Sequence, residues 1–429
     1  MRSSLLTSAA AVLLVAIAGG LTGWFFFLRT HSEAIRAADS ARGFSDTSIP
    51  GILGMGIAPT SGNAGVTPSG GIVASTSVAS STDTALASTT GADAKGAVPS
   101  TPQTPRLWHP AKTPIAGFGF VKAESGYVIR YAERATGYVY SADPWTGNIE
   151  RLANTLTPKT QEAYFASSTV ILRSFKDGAL DTWRGEVGRT ATSTALIGSS
   201  LGMGIGSLSI DTRTAQLFFV RTARGATEAV QTDGSGAKPA VLFSSPIGSW
   251  QALAVPGRRI VAQAPSDGVA GYAYELGKSG ALTKLVGGIP GLTVLPRASS
   301  TAFLWSSARS GALSLFAQAS FSAEPVAISL KTTTEKCVWG AGSGATAAFA
   351  YCAVPRVRAG GVSLDAWHQG ALATEDAWWQ IDTAAGATQA LYASKDRPDV
   401  RSPQIDPEGR FIAYIDGRDS SLWVLRIVQ

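Results

Sequence analysis

From Thr113 onward the apolar residues fall in short alternating runs, separated by clusters of Gly, Asp, Asn and Ser. Clear examples are Tyr127–Tyr131, Gly137–Tyr140, Val170–Phe175, Gln216–Arg221, Arg259–Gln263, Thr301–Trp305, Leu313–Phe316 and Phe349–Val354. Alternation with period 2 is what a strand buried on one face requires, and no stretch sustains the 3.6-residue period of a helix. Turns such as Asp143-Pro144-Trp145-Thr146-Gly147 and Lys176-Asp177-Gly178 join neighbouring runs. The pattern predicts an all-β domain over 113–429.

The most regular stretch is the last. Ser402-Pro403-Gln404-Ile405-Asp406-Pro407-Glu408-Gly409 leads into the strand Phe411–Ile415, and the turn Asp416-Gly417-Arg418-Asp419 into a second strand, Leu422–Val428. Aligning earlier segments with this cassette gives repeat starts near Ile115, Lys159, Gly206, Ser249, Thr293, Lys336 and Pro403. Their spacings are 44, 47, 43, 44, 43 and 67. A unit of about 40–45 residues is the length of a four-stranded propeller blade. Seven starts predict seven blades. Six or eight also fit, because the sixth interval carries an insertion and the last blade is short. Closing the ring requires a strand from near Ile115 to complete the final blade. A β-sandwich would not need the fixed period.

The cassette resembles the repeat of TolB-type, WD40-like β-propellers, in which S-P-x-W-S-P-D-G-x-x-I-A-F precedes L-W-V. Ile405 and Asp406 stand where the family has Trp-Ser, and Glu408 where it has Asp. The segments Lys336–Trp339, Tyr351–Pro355, Trp367–Gly370 and Trp379–Asp382 also resemble membrane-anchored propeller proteins of uncultured small-genome bacteria. The first resemblance implies a periplasmic protein-interaction propeller; neither places functional residues here, because function on a propeller sits in its loops.

Upstream the texture changes. Leu5–Leu28 is 24 residues without a charge, flanked by Arg2 and Arg29, long enough to cross a bilayer as a helix. Ala16-Ile17-Ala18 offers a signal-peptidase site, but the apolar run continues through Trp24-Phe25-Phe26-Phe27, which favours an uncleaved anchor. Arg29, Arg36 and Arg42 oppose Arg2, so charge alone leaves the orientation open. Residues 43–105 are Gly, Ala, Ser, Thr and Pro with four charges, a composition that cannot bury a core and predicts a disordered tether. The expected organisation is therefore a short cytoplasmic N-terminus (1–4), a transmembrane anchor (5–28), a juxtamembrane segment and linker (29–112) and a propeller (113–429).

The net charge of +6 belongs entirely to 106–429, without a basic run longer than pairs such as Arg258-Arg259. That argues against nucleic acid, which asks for a basic stripe with interleaved aromatics. Chemistry-bearing motifs are few. Gly198-Ser199-Ser200-Leu201-Gly202 satisfies G-x-S-x-G, but the Gly-rich continuation cannot form the helix a nucleophile elbow needs. Gly271–Ser279 misses the P-loop spacing by one residue and reads as a hairpin. Cys337 and Cys352 flank a Gly-rich loop whose midpoint sets them opposite each other on adjacent strands. They are either a disulfide or two buried thiols. Two Cys and the downstream His368 lack a zinc-site spacing, so neither metal nor cofactor is expected.

The long sixth interval stands out. Between Pro355 and Gln380 the repeat gains about twenty residues, and its three Trp argue against disorder. Loops on a rigid scaffold commonly carry recognition, and Trp and Arg are favoured anchors. Arg358, Asp365, Trp367 and His368 are the expected binding residues. Asp365 and Glu375 are the only candidate carboxylate pair singled out for a hydrolytic alternative, and Trp378-Trp379 belong to the next strand. The sequence thus points to a membrane-tethered, extracytoplasmic, non-enzymatic binding or scaffolding propeller. It would be monomeric as a ring, with an envelope protein or glycan as partner. A carbohydrate-active or otherwise hydrolytic propeller is the alternative.

Overall fold

The computed structural model describes residues 102–428, apart from 125, 190–193, 278, 342–347 and 357–360. The anchor and most of the linker expected upstream lie outside the described residues. Among those described, no helix is long and apolar enough to cross a membrane.

Seven antiparallel four-stranded sheets form, six of them simple meanders whose strand order follows the chain. Their first strands begin at Ile115, Thr160, Ile205, Trp250, Thr293 and Cys337; the seventh sheet begins at Val400. All seven starts fall within three residues of the repeat starts read from the sequence. We number the sheets 1 to 7 in this order. Each is buried against its neighbours on both sides. Ala116, Val121 and Ala132 of sheet 1 meet Ala163, Phe165 and Leu172 of sheet 2, and Val338 and Ala353 of sheet 6 meet Ile412 and Tyr414 of sheet 7. Corresponding apolar clusters join sheets 2 and 3, 3 and 4, 4 and 5, and 5 and 6. The ring closes where Ile115, Phe118 and Ile129 of sheet 1 pack on Phe411, Leu422 and Val424 of sheet 7. The chain is a seven-bladed β-propeller.

A strand covered on both faces has no polar side, and Ile115–Val121 is accordingly buried at every position. Gly117 is required there, because a Cβ would collide with the Ala163 carbonyl of sheet 2.

An N-terminal strand closes the last sheet, as expected, but it lies just upstream of Ile115. Sheet 7 takes its fourth strand from Leu107–Ala111, which pairs antiparallel with Leu422–Arg426. The propeller therefore starts upstream of the boundary expected at 113. His109, read as linker, stacks on Trp423 with ring centroids 3.9 Å apart. Pro105 and Pro110 hide this strand from pattern reading, and Pro is tolerated because the strand is the outer edge of its sheet.

Sheet topology also sorts the loops. In every sheet, the turn between the second and third strands shares one end of the ring with the connection to the next sheet. We call this the upper face, and the end bearing the other turns the lower face. The G-x-S-x-G segment lies within the outermost strand of sheet 2, Thr194–Met203, and forms no elbow. Gly277–Ala281 is a hairpin turn. Cys337 and Cys352 are register partners on the first two strands of sheet 6, and a disulfide joins them.

Candidate functional site

The insertion leaves the second strand of sheet 6 at Pro355 and rejoins the third at Asp376, so it emerges on the upper face. From residue 361 onward it does not project from the ring; it lies across it. Val362 donates its backbone N–H to Gly311 of sheet 5 (2.9 Å). Ser363 then caps a short helix, Leu364–His368, by accepting from the Ala366 N–H. Leu364 and Trp367 from one side of this helix pack on Ala308 and Leu313 of sheet 5.

Three of the four expected binding residues are described, and each has a different environment. Asp365 reaches sheet 4, where its Oδ2 accepts from Ser266 Oγ (3.1 Å) and the Asp267 N–H (3.2 Å). Ser363 Oγ adds a bond to Asp267 Oδ2 (2.8 Å). Trp367, expected as a recognition anchor, is only 4% exposed. His368 is at the surface, 2.7 Å from Glu335 Oε2. Arg358 lies outside the described residues. Of the helix and the turn after it, His368, Gln369, Gly370 and Ala371 are exposed to solvent. Trp378 and Trp379 belong to the strand Asp376–Asp382, with Trp378 in the interface with sheet 7.

Trp367 is held by a charged cluster that sequence reading missed. Its indole Nε1–H donates to Asp399 Oδ1 (2.8 Å). The Lys336 ammonium and the Arg401 guanidinium stand 4.5 Å and 4.6 Å from its ring, within cation–π range. Lys336 is 1% exposed. Its Nζ meets Asp376 Oδ2 (2.7 Å), Thr374 Oγ1 (2.8 Å), Asp399 Oδ1 (2.9 Å) and the Val400 carbonyl (2.9 Å). Arg401 donates to Asp399 Oδ2 (3.2 Å) and to the Trp367 carbonyl (2.7 Å). Sheets 6 and 7 and the insertion therefore converge on one lysine. A charge this deep is tolerated only when paired and hydrogen-bonded, and this one is.

The two carboxylates respond differently to the same lysine. Burial pushes Asp376 above the usual carboxylate range, and Lys336 offsets this only in part. Asp399 is also pushed up by burial, but Lys336 and the donors Thr374 and Trp367 outweigh that and hold it below its ordinary value. For His368, burial favours the neutral ring, yet the bond and charge of Glu335 prevail and raise its pKa.

Chemically, this arrangement fixes a segment in place. Asp376 has the perturbed acidity of a general acid, but its side chain is fully buried, where no substrate reaches it. The suggested pair Asp365 and Glu375 is divided between partners: Asp365 holds sheet 4 and Glu375 pairs with Arg397 (3.3 Å). Among the described residues, no group of three or more His, Cys, Asp and Glu could hold a metal ion. Lys336 was legible only as the start of a repeat. Asp399 lies 63 residues further on, so no local spacing could have joined them.

No family model matches the chain, and no curated protein matches it. Solved structures similar to it include three propellers. The oligogalacturonate lyase of Vibrio parahaemolyticus is 10% identical, over 75% of this chain and 94% of that one, with a TM-score of 0.48. The β-propeller domain of the Trilobed protease of Pyrococcus furiosus is 10% identical, over 73% and 98%, with a TM-score of 0.45. TolB of Acinetobacter baumannii is 12% identical, over 66% and 61%, with a TM-score of 0.37. Likeness at this level lends the chain no activity, and the propeller assignment rests on its own strand order.

Proposed function

We infer that this propeller is a non-enzymatic binding or scaffolding module, tethered to a membrane by residues 5–28 and displayed outside the cytoplasm. Recognition falls on the inserted segment of the upper face. There His368 to Ala371, with Arg358 nearby in sequence, meet an envelope protein or glycan, while Trp367 and Asp365 hold that surface in position.

One observation carries this reading: the insertion is clamped to sheets 4, 5, 6 and 7 at once, with its turn left exposed. A recognition surface gains from such preorganisation, because no loop has to be ordered on binding. A hydrolytic site would instead need reachable carboxylates, and those around the insertion are committed to lysine, arginine, histidine and backbone partners. The extracytoplasmic location agrees with the Cys337–Cys352 bond, since disulfides persist in oxidising compartments.

Site-specific photo-crosslinking of the full chain in its native membrane tests the site. A probe at Gln369 should yield a discrete adduct, and one at Phe321 on the lower face should not. Equal adducts from both positions, or none from Gln369, overturn the assignment. Location is read separately by labelling thiols in denatured, non-reduced protein; free Cys337 and Cys352 would remove its main support.

A further inference from the structure

The insertion covers the upper face over sheets 4 to 7, and sheets 1 to 4 carry a different surface there. Five large apolar side chains stand out into solvent at separate loops: Leu156 (62% exposed), Phe175, Met203, Ile247 and Val269 (63%). Leu156, Ile247 and the end of the strand carrying Met203 belong to connections between sheets. Phe175 and Val269 flank turns between second and third strands. The meander therefore brings all five to one end of the ring. Apolar residues scattered over a protein surface are ordinary, so the charges beside these five decide what the face can meet.

The charges among them are one-sided. Exposed cations on the same connections are Lys112, Arg134, Lys159, Lys176 and Arg224. Against them stand the exposed Asp177 and the half-buried Glu133, Asp181 and Asp267, which are engaged by Thr136, Ser200 and Ser363. Several other cations of the ring are paired, as Arg173 is with Glu162, Arg221 with Glu228 and Arg258 with Glu275.

We propose that the upper face of sheets 1 to 4 docks on an anionic lipid bilayer. Its protruding apolar side chains enter the headgroup boundary and its lysines and arginines sit at the negative surface. Charge complementarity selects a negative partner. The apolar groups select a lipid surface over an acidic polypeptide: they stand at separate loops and strand ends of four sheets, a spread suited to a planar fluid surface, and not along one strand or helix path. The contact does not depend on the anchor at 5–28, nor on the exposed turn of the insertion.

The test uses residues 96–429, a compact unit of the chain. All seven interfaces between sheets and the closing strand lie within this span, and its contacts are internal to it. The ring is sedimented with phosphatidylcholine vesicles containing about one-third phosphatidylglycerol, and with phosphatidylcholine alone, at low and high salt. Binding is expected only with the anionic vesicles and should weaken with salt. The Lys159→Gln and Lys176→Gln pair should lose roughly tenfold or more, since each cation near such a surface contributes about fivefold. Leu156→Asn with Ile247→Asn should lose at least as much while melting like the wild type, because neither side chain is buried. Phe321→Asn on the lower face is the control and should bind normally.

Four results overturn the proposal: no binding to anionic vesicles, equal binding to neutral ones, an equal loss in the Phe321→Asn control, or unchanged binding in both upper-face variants. Self-association of the ring abolished by Leu156→Asn and Ile247→Asn would assign the face to a second copy. Retention on polyglutamate without vesicle binding would assign it to an acidic polypeptide. The crosslink from Gln369 is independent of every one of these outcomes, so the two readings fail separately.

Discussion

Replacing Trp367 tests whether the insertion is clamped, because the structure ties that residue to both the packing and the charge of the cluster. A buried Trp removes about 150–250 Å² from water, and truncating a core aromatic to Ala costs roughly 3–5 kcal/mol. Trp367→Phe keeps a ring against Ala308 and Leu313 but removes the N–H that Asp399 accepts. A hydrogen bond to a charged group is worth about 1.5–3 kcal/mol, so stability should fall in the order Trp, Phe, Ala. Unfolding entropy is about 2.1 cal/mol/K per residue, so for a ring of roughly 330 residues the Ala variant should melt about 4–7 °C lower. Thermal unfolding measures this, and amide exchange separates global from local loss. The amides of Trp367, Gln369, Gly370 and Leu372 bond within the insertion and should lose protection first. A melting change under about 1 °C, with unchanged exchange over 364–372, would refute the clamp and return Trp367 to the surface role expected from the sequence.

Other consequences follow from the same contacts. Lys336→Met leaves Asp376 buried without its cation and Asp399 with Arg401 alone, and should cost about 3–5 kcal/mol in chemical denaturation, partly recovered by adding Asp376→Leu. His368 has a raised folded pKa, so its pairing with Glu335 contributes fully below the ordinary value of 6.5 and is lost as pH rises through the folded value. For a half-exposed pair that contribution is under about 1 kcal/mol, read as a His368 NMR titration displaced upward and abolished by Glu335→Gln. Gly117→Ala should destabilise the ring by about 1–3 kcal/mol through the collision with Ala163, measured by urea unfolding. Reducing the Cys337–Cys352 bond, which spans 15 residues, should cost about 3 kcal/mol by the chain-entropy estimate, seen as a melting shift that the paired Cys→Ser variant reproduces.

The ring was readable because its signal is periodic and local. Each blade needs four strands of similar length, so starts recur near 44 residues whatever the side chains are, and the cassette from Ser402 to Trp423 supplied a reference phase. The cysteine register was readable for the same reason, since reflection about a hairpin loop is local geometry. Reading failed where the determinant was nonlocal. Leu107–Ala111 is a strand only because Leu422–Arg426 lies beside it, some three hundred residues away. Trp367 looked like a displayed aromatic because a loop sequence does not reveal what lies beneath it. Lys336, Asp376 and Asp399 lie in different parts of the chain, and only the meeting of sheets 6 and 7 with the insertion makes them one cluster.

The upper-face apolar set lies between these cases. Taken singly, Leu156, Phe175, Met203, Ile247 and Val269 are unremarkable surface residues at irregular spacings. Their grouping follows from parity. In a four-stranded meander, a residue after an even number of strands lies at the upper end, and one after an odd number at the lower end. Once the repeat phase is known, each loop position can be assigned to a face before any coordinates exist. The same rule puts Ile149, Val241, Leu282 and Phe321 near lower-face turns, where exposed Lys122, Arg213 and Lys238 are interleaved with exposed Glu124 and Glu150. Both ends therefore expose apolar groups, and apolar content alone does not distinguish them. What distinguishes the upper end is the company its apolar groups keep: exposed, same-sign charges in the connections of sheets 1 to 3, and a rigid insertion over the remainder.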